Sequence, residues 1–145
     1  MTFVLPANFR QLPPVWEMAQ PFRVDNTGAI AFDLDPERWA INHILAILLT
    51  NPGERVMRPS YGVGIYRYVW ENDDPLEEQH MIAAINSQVA TYEPNITLTK
   101  VEFTRPFHPN YTGVVQLEIS FTVGNSPTTY TFDVALNGSQ VEITA

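Results

Sequence analysis

The chain has 145 residues, a length that suits one domain or one domain with an arm, and such a chain can bury roughly 70% of its unfolded surface. Its net charge is −8 with only eight Lys and Arg, which argues against a nucleic-acid-binding face. It has no Cys, so disulfides, thiolate zinc sites and thiol catalysis are excluded within it. Only 17% of residues are charged while 12% are aromatic, and low charge with many aromatics points to a surface partly covered by partners.

The first residues, Met1-Thr2-Phe3-Val4-Leu5-Pro6, carry neither a basic start nor a long apolar run and do not read as a signal peptide. No stretch approaches the ~20 apolar residues of a membrane span. Pro6, Pro13, Pro14 and Pro21 make residues 1–22 an extended arm, because proline fixes φ and removes a backbone donor. Phe3, Phe9, Trp16 and Phe22 imply that this arm lies on a surface, either a partner's or that of its own domain.

Arg23-Val24-Asp25 and Ala29-Ile30-Ala31-Phe32 flank Asn26-Thr27-Gly28, a short hairpin signal. Asp35 caps a helix that has Pro36 at its first position. Ile41, Ile44, Leu45 and Leu48 follow helical spacing, and Ile47 and Leu49 widen the apolar stripe. The helix stops at Asn51-Pro52-Gly53. A polar loop from Glu54 to Tyr61 follows, then a short helical turn between Gly62 and Trp70. Asp74, Pro75 and Glu77 start a second helix with a capping box, Ile82, Ile85 and Val89 share one of its faces, and Glu93-Pro94 ends it.

Segments 96–103, 114–123, 128–136 and 140–144 are rich in Val, Ile, Thr, Phe and Tyr and separated by turns such as Gly124-Asn125-Ser126-Pro127. Gln116, Glu118 and Ser120 alternate with Leu117, Ile119 and Phe121, as in a half-buried antiparallel strand. Asn137-Gly138 signals a tight two-residue hairpin. The expected class is α+β: two main helices plus a C-terminal antiparallel sheet, with an extended N-terminal arm. The arm is 1–22 and the domain 23–145, with its helical part at about 35–92 and its sheet at about 96–145.

Signals for chemistry are weak. His43, His80 and His108 are scattered and show no metal-ligand spacing. Gly62-Val63-Gly64 lacks the third glycine, the preceding strand and the Lys of a nucleotide loop. Glycoside hydrolysis needs only two carboxylates facing one cleft, for which Glu54, Glu71, Asp73 and Glu93 are the candidates. Carboxylates at turns and helix ends are more often solvated or paired. No catalytic residue, cofactor or metal is expected.

The segment Thr50-Asn51-Pro52-Gly53-Glu54-Arg55-Val56-Met57-Arg58-Pro59-Ser60-Tyr61-Gly62 follows the apolar helix, and Tyr92-Glu93-Pro94-Asn95 comes about thirty residues later. Together they resemble the phage baseplate assembly protein W family, also called tail-lysozyme-like, whose members occur in contractile tails and other contractile injection systems. The resemblance covers roughly residues 21–105. It departs at Ser60, where the family has an acidic residue, and at Asn95, where it has Arg, so that any bidentate pairing by that guanidinium is lost.

The resemblance implies a structural, non-enzymatic wedge subunit and sheath initiator. It would sit in the baseplate of a phage tail or injection particle, assembled in the bacterial cytoplasm. Implied partners are larger wedge proteins and sheath subunits that add strands to the C-terminal sheet, with the tube or hub a further candidate, and with several copies around a sixfold axis. Neither nucleic acid nor membrane is an expected partner. The candidate partner-binding residues are Glu54, Arg55, Arg58 and Tyr61 on the loop, Glu93 and Asn95 after the second helix, and Val134 in the sheet. The alternative is a peptidoglycan-cleaving tail lysozyme.

Overall fold

A computed structural model of the chain describes residues 17–19, 22–33, 35–69, 75–104, 114–137 and 140–144. Most of the expected arm, the Asp74 cap, Glu71, Asp73 and His108 lie outside these residues. Backbone contacts divide the chain into two compact units, Met1–Ala40 and Ile41–Ala145.

In the first unit, β1 (Glu17–Met18) pairs antiparallel with β2 (Phe32–Asp33). The hairpin expected between them forms: Val24 bridges Ile30, and Asp25 N donates to Ala29 O. The Asp25 carboxylate organises its tip by accepting bonds from Thr27 N, Thr27 Oγ1 and Ala29 N. These bonds, led by the Thr27 hydroxyl, hold the Asp25 carboxyl below its ordinary pKa. Helix α1 (Pro36–Leu49) starts where its cap predicts, with Asp35 Oδ1 accepting from Glu37 N at 3.1 Å.

In the second unit, α1 buries Ile44, Ile47 and Leu48 completely, while Ile41 and Leu45 are only half-buried. The buried stripe is therefore turned toward Ile47 relative to the one the spacing suggests. A loop leads to the single turn α2 (Tyr66–Val69) and then to α3 (Pro75–Tyr92), which buries Met81, Ile85 and Val89 at i, i+4 and i+8.

Strands β3 (Ile96–Thr104), β4 (Val114–Val123), β5 (Thr129–Asn137) and β6 (Gln140–Thr144) form a four-stranded antiparallel sheet in sequence order. Register places Leu117 beside Val134, Ile119 beside Phe132 and Phe121 beside Tyr130, so that one face is apolar. Phe121 and Phe132 meet edge to face at 5.9 Å. Helix α3 lies against β3, and α2 against β5.

The other face is polar, with Lys100, Glu102, Gln116, Glu118 and Asp133 along it. Ser120 belongs to this face yet is buried, and its hydroxyl bonds Thr131 Oγ1 across the strand pair at 3.0 Å. Asn137 pairs with Gln140 and so belongs to β5, while Gly138, the second residue of the expected turn, lies outside the described residues.

Candidate functional site

The segment after α1 owes its shape to the unsatisfied carbonyls of that helix's last turn. The returning chain satisfies them: Val63 N donates to Ile47 O and Ile65 N to Leu48 O, both at 2.9 Å. Thr50 Oγ1 donates to Ala46 O at 2.6 Å. This return brings Gly62 so close to the helix end that a Cβ there would lie 2.2 Å from Thr50 O, and its φ is +100°. Only glycine fits both constraints.

Between these anchors the loop closes on itself. Gly53 N donates to Pro59 O at 2.8 Å and Arg58 N to Arg55 O at 3.1 Å. Glu54 folds back so that its carboxylate accepts from Asn51 N and Asn51 Nδ2, at 2.8 and 2.6 Å. The Asn51 side chain and backbone hold the Glu54 carboxyl below its ordinary range. Glu54 thus caps a turn and forms no ion pair with Arg55.

A second brace comes from α3. Gln88 Oε1 accepts from Gly62 N at 2.8 Å and Gln88 Nε2 donates to Ser60 O at 3.0 Å, so one amide holds two backbone groups of the loop. Ser60 Oγ meets Tyr92 Oη at 2.8 Å, and this serine stands where the resembling family carries an acid.

The arginines flank a pair of tyrosines. Tyr61 is buried, its phenol pushed to a higher pKa chiefly by that burial. Its ring meets Tyr92 edge to face at 4.9 Å. The Arg55 guanidinium lies 3.8 Å from the Tyr61 ring centre and that of Arg58 5.9 Å from Tyr92. Neither arginine has a carboxylate within ion-pair distance among the described residues. Between them Val56 and Met57 stand at the loop tip, 95% and 91% exposed.

Glu93 leaves α3 toward α1, where its Oε1 lies 2.7 Å from His43 Nδ1. Asn95 is exposed, and its carbonyl takes the Gly124 N–H at 2.7 Å, tying the α3–β3 turn to the β4–β5 turn. Val134 is fully buried in the interior strand β5. The structure therefore gathers Glu54, Arg55, Arg58 and Tyr61 around one loop, places Glu93 and Asn95 on the turn that follows α3, and sets Val134 apart in the core. Sequence reasoning missed Asn51, Gln88, Tyr92 and the His43 contact. Gln88 gives a faint signal as a polar residue between buried Ile85 and Val89, but its partners lie 26 and 28 residues away.

A family model described as "Baseplate wedge protein gp25" matches residues 40–128. The baseplate wedge protein gp25 of Enterobacteria phage T4 is 34% identical over 117 residues, spanning 70% of this chain and 86% of that protein. The chain belongs to the gp25 family of baseplate wedge proteins. It is a baseplate wedge protein of a contractile tail system.

The gp25 fold recurs in solved structures. A chain of the sixfold-symmetrised anti-feeding prophage baseplate superimposes with a TM-score of 0.62 at 21% identity, covering 78% of this chain and 88% of that one. A putative tail lysozyme from Geobacter sulfurreducens gives a TM-score of 0.57 at 24% identity, covering 76% and 98%. Both likenesses are of fold. The family match contains the whole braced loop, α3 and the turn at Glu93.

Proposed function

We propose that this wedge protein joins two assemblies, larger wedge proteins through its helical part and the first ring of sheath subunits through its sheet. Several copies act around a sixfold axis, as in the baseplate whose fold it shares. The observation that carries the sheath contact is the unlike character of the two sheet edges. On edge strand β3, pairing is interrupted between Leu98 and Lys100, and Lys100 bonds both Glu118 and Glu102 at 2.8 and 3.1 Å. Bulges and edge lysines discourage further strand pairing. Edge strand β6 pairs in unbroken register with β5 and, among the described residues, has no second strand beside it, which leaves that side to a strand from a partner.

The protein is not an enzyme on this reading, although one relative in fold is called a putative tail lysozyme. A glycosidase needs one carboxyl that stays protonated as general acid. Glu54 is held ionised by Asn51, and Glu93 is engaged by His43.

Isolated baseplates test the assignment. Mass spectrometry and cryo-electron microscopy should find the chain bound to wedge proteins through the 50–65 loop and α3, with β6 facing the sheath. Purified protein should leave peptidoglycan turbidity unchanged. Clearing of peptidoglycan that Glu54→Gln or Glu93→Gln abolishes would contradict the reading.

A further inference from the structure

The tip of the α1–α2 loop combines properties that a solvated loop does not need. Val56 and Met57 are 95% and 91% exposed, more than any other large apolar side chain among the described residues. They are nonetheless held on a stiff frame. Gly53 N to Pro59 O closes the neck, Arg58 N to Arg55 O closes the tip, and Gln88 fastens the base. An apolar pair on such a frame loses little conformational freedom when a surface covers it. Methionine is also suited to filling an irregular apolar socket.

Charge indicates what that surface is. The chain carries 16 Asp and Glu against eight Lys and Arg, so a guanidinium has many carboxylates to choose from. Arg55 and Arg58, on either side of the tip, take none among the described residues and lie instead by the rings of Tyr61 and Tyr92. Ring contact leaves guanidinium N–H groups free for a planar acceptor. Glu54, the adjacent acid, is turned away into its contacts with Asn51.

We infer that Val56 and Met57 form a plug that inserts into an apolar socket on a neighbouring baseplate protein, with Asp or Glu side chains on the socket rim receiving Arg55 and Arg58. This rests on the wedge reading above and names the contact through which the helical part is held. A second copy docking loop to loop fits less well, because the acids beside the loop, Glu54 and Glu93, are already engaged. A lipid surface fits less well again: two apolar side chains give only marginal membrane binding, and a net charge of −8 opposes anionic bilayers.

The test uses the full chain in assembled particles. Met57→p-benzoylphenylalanine is irradiated in purified baseplates, and the crosslinked peptide is sequenced. Separately, Val56→Ser with Met57→Ser is scored for incorporation into baseplates, with thermal unfolding as a control for the fold. The inference expects a crosslink to one other baseplate protein, at an apolar site with Asp or Glu nearby. It expects incorporation of the double variant to fall about tenfold or more with an unchanged melting temperature. Baseplates that contain the chain but give no crosslink, a crosslink to a second copy or to lipid, or full incorporation of the double variant would each overturn it while leaving the wedge reading intact. Baseplates lacking the wild-type chain would overturn the wedge reading and this inference together.

Discussion

The α1–α2 loop and the C-terminal sheet are both ordered, by opposite means. In the sheet, order is distributed: each strand is held along its length by a backbone ladder, and alternation of apolar and polar residues sets the faces. In the loop, order is concentrated in a few groups, namely Gly62 against Thr50, Gln88 across Ser60 and Gly62, and Glu54 on Asn51. A distributed element tolerates the loss of a surface side chain and fails when its core or ladder is broken. A concentrated one fails at single named contacts and leaves its tip available for binding.

The largest effect separating the two should come from Val134→Pro. Residue 134 is fully buried and pairs with both Leu117 and Ile143, so proline removes a ladder donor inside an interior strand. The lost ladder bond together with the displaced core side chain should remove a large part of the about 5–15 kcal/mol that typically stabilises a domain. Loss of native circular dichroism at room temperature is the expected result, so this change cannot isolate sheath attachment.

Gly62→Ala should come next, at about 2–4 kcal/mol by denaturant titration, because strain at positive φ adds to overlap with a backbone carbonyl. Gly53→Ala sharpens the point: its φ is also positive, at +95°, but nothing lies within 4 Å, so only about 1 kcal/mol of strain is expected. Equal costs for the two would show that the close approach to α1 is not what holds the loop.

Gln88→Ala should cost about 1–3 kcal/mol, since it strands the Gly62 N–H and the Ser60 carbonyl. It should raise hydrogen exchange in the loop while leaving the sheet amides protected. A uniform rise would mean that the two regions are not independently ordered.

The smallest effect concerns acid. The folded state holds the Glu54 carboxyl below its ordinary value of 4.5. Its stabilising contribution is therefore fully present above that value and is lost as pH falls through the folded-state pKa. Melting temperatures taken downward from about pH 6 should fall less steeply in Asn51→Ala than in the wild type, because that variant lacks the leading cause of the depression.

The same contrast governs how much could be read from sequence. The strands were legible to within a residue or so because period-2 alternation and turn residues are local signals. The cap at Asp35 and the Asp25 hairpin were legible for the same reason. The loop's position was legible from Asn51-Pro52-Gly53, but its braces were not, because Gln88 meets residues 26 and 28 positions away and His43 meets Glu93 across 50. No periodicity encodes such pairs. Glu54 stands beside Arg55 in sequence, yet the turn directs its carboxylate to Asn51 at the helix end. Val134 is a candidate partner-binding residue from sequence, whereas the strand order places it inside the sheet, on β5.

In the proposed division of labour, the loop binds wedge proteins and the β6 edge binds sheath. That division is most directly tested by electron micrographs of tails assembled with Glu142→Pro and, separately, Ile143→Pro. Consecutive N–H groups on a strand point to opposite sides. One of the two prolines therefore removes a bond to β5, while the other removes an outward donor that only an added strand would use. The melting temperature identifies the latter as the variant that keeps native stability. This variant should enter baseplates normally but leave them without attached sheaths. Normal sheaths on its baseplates would instead place sheath attachment away from the β6 edge.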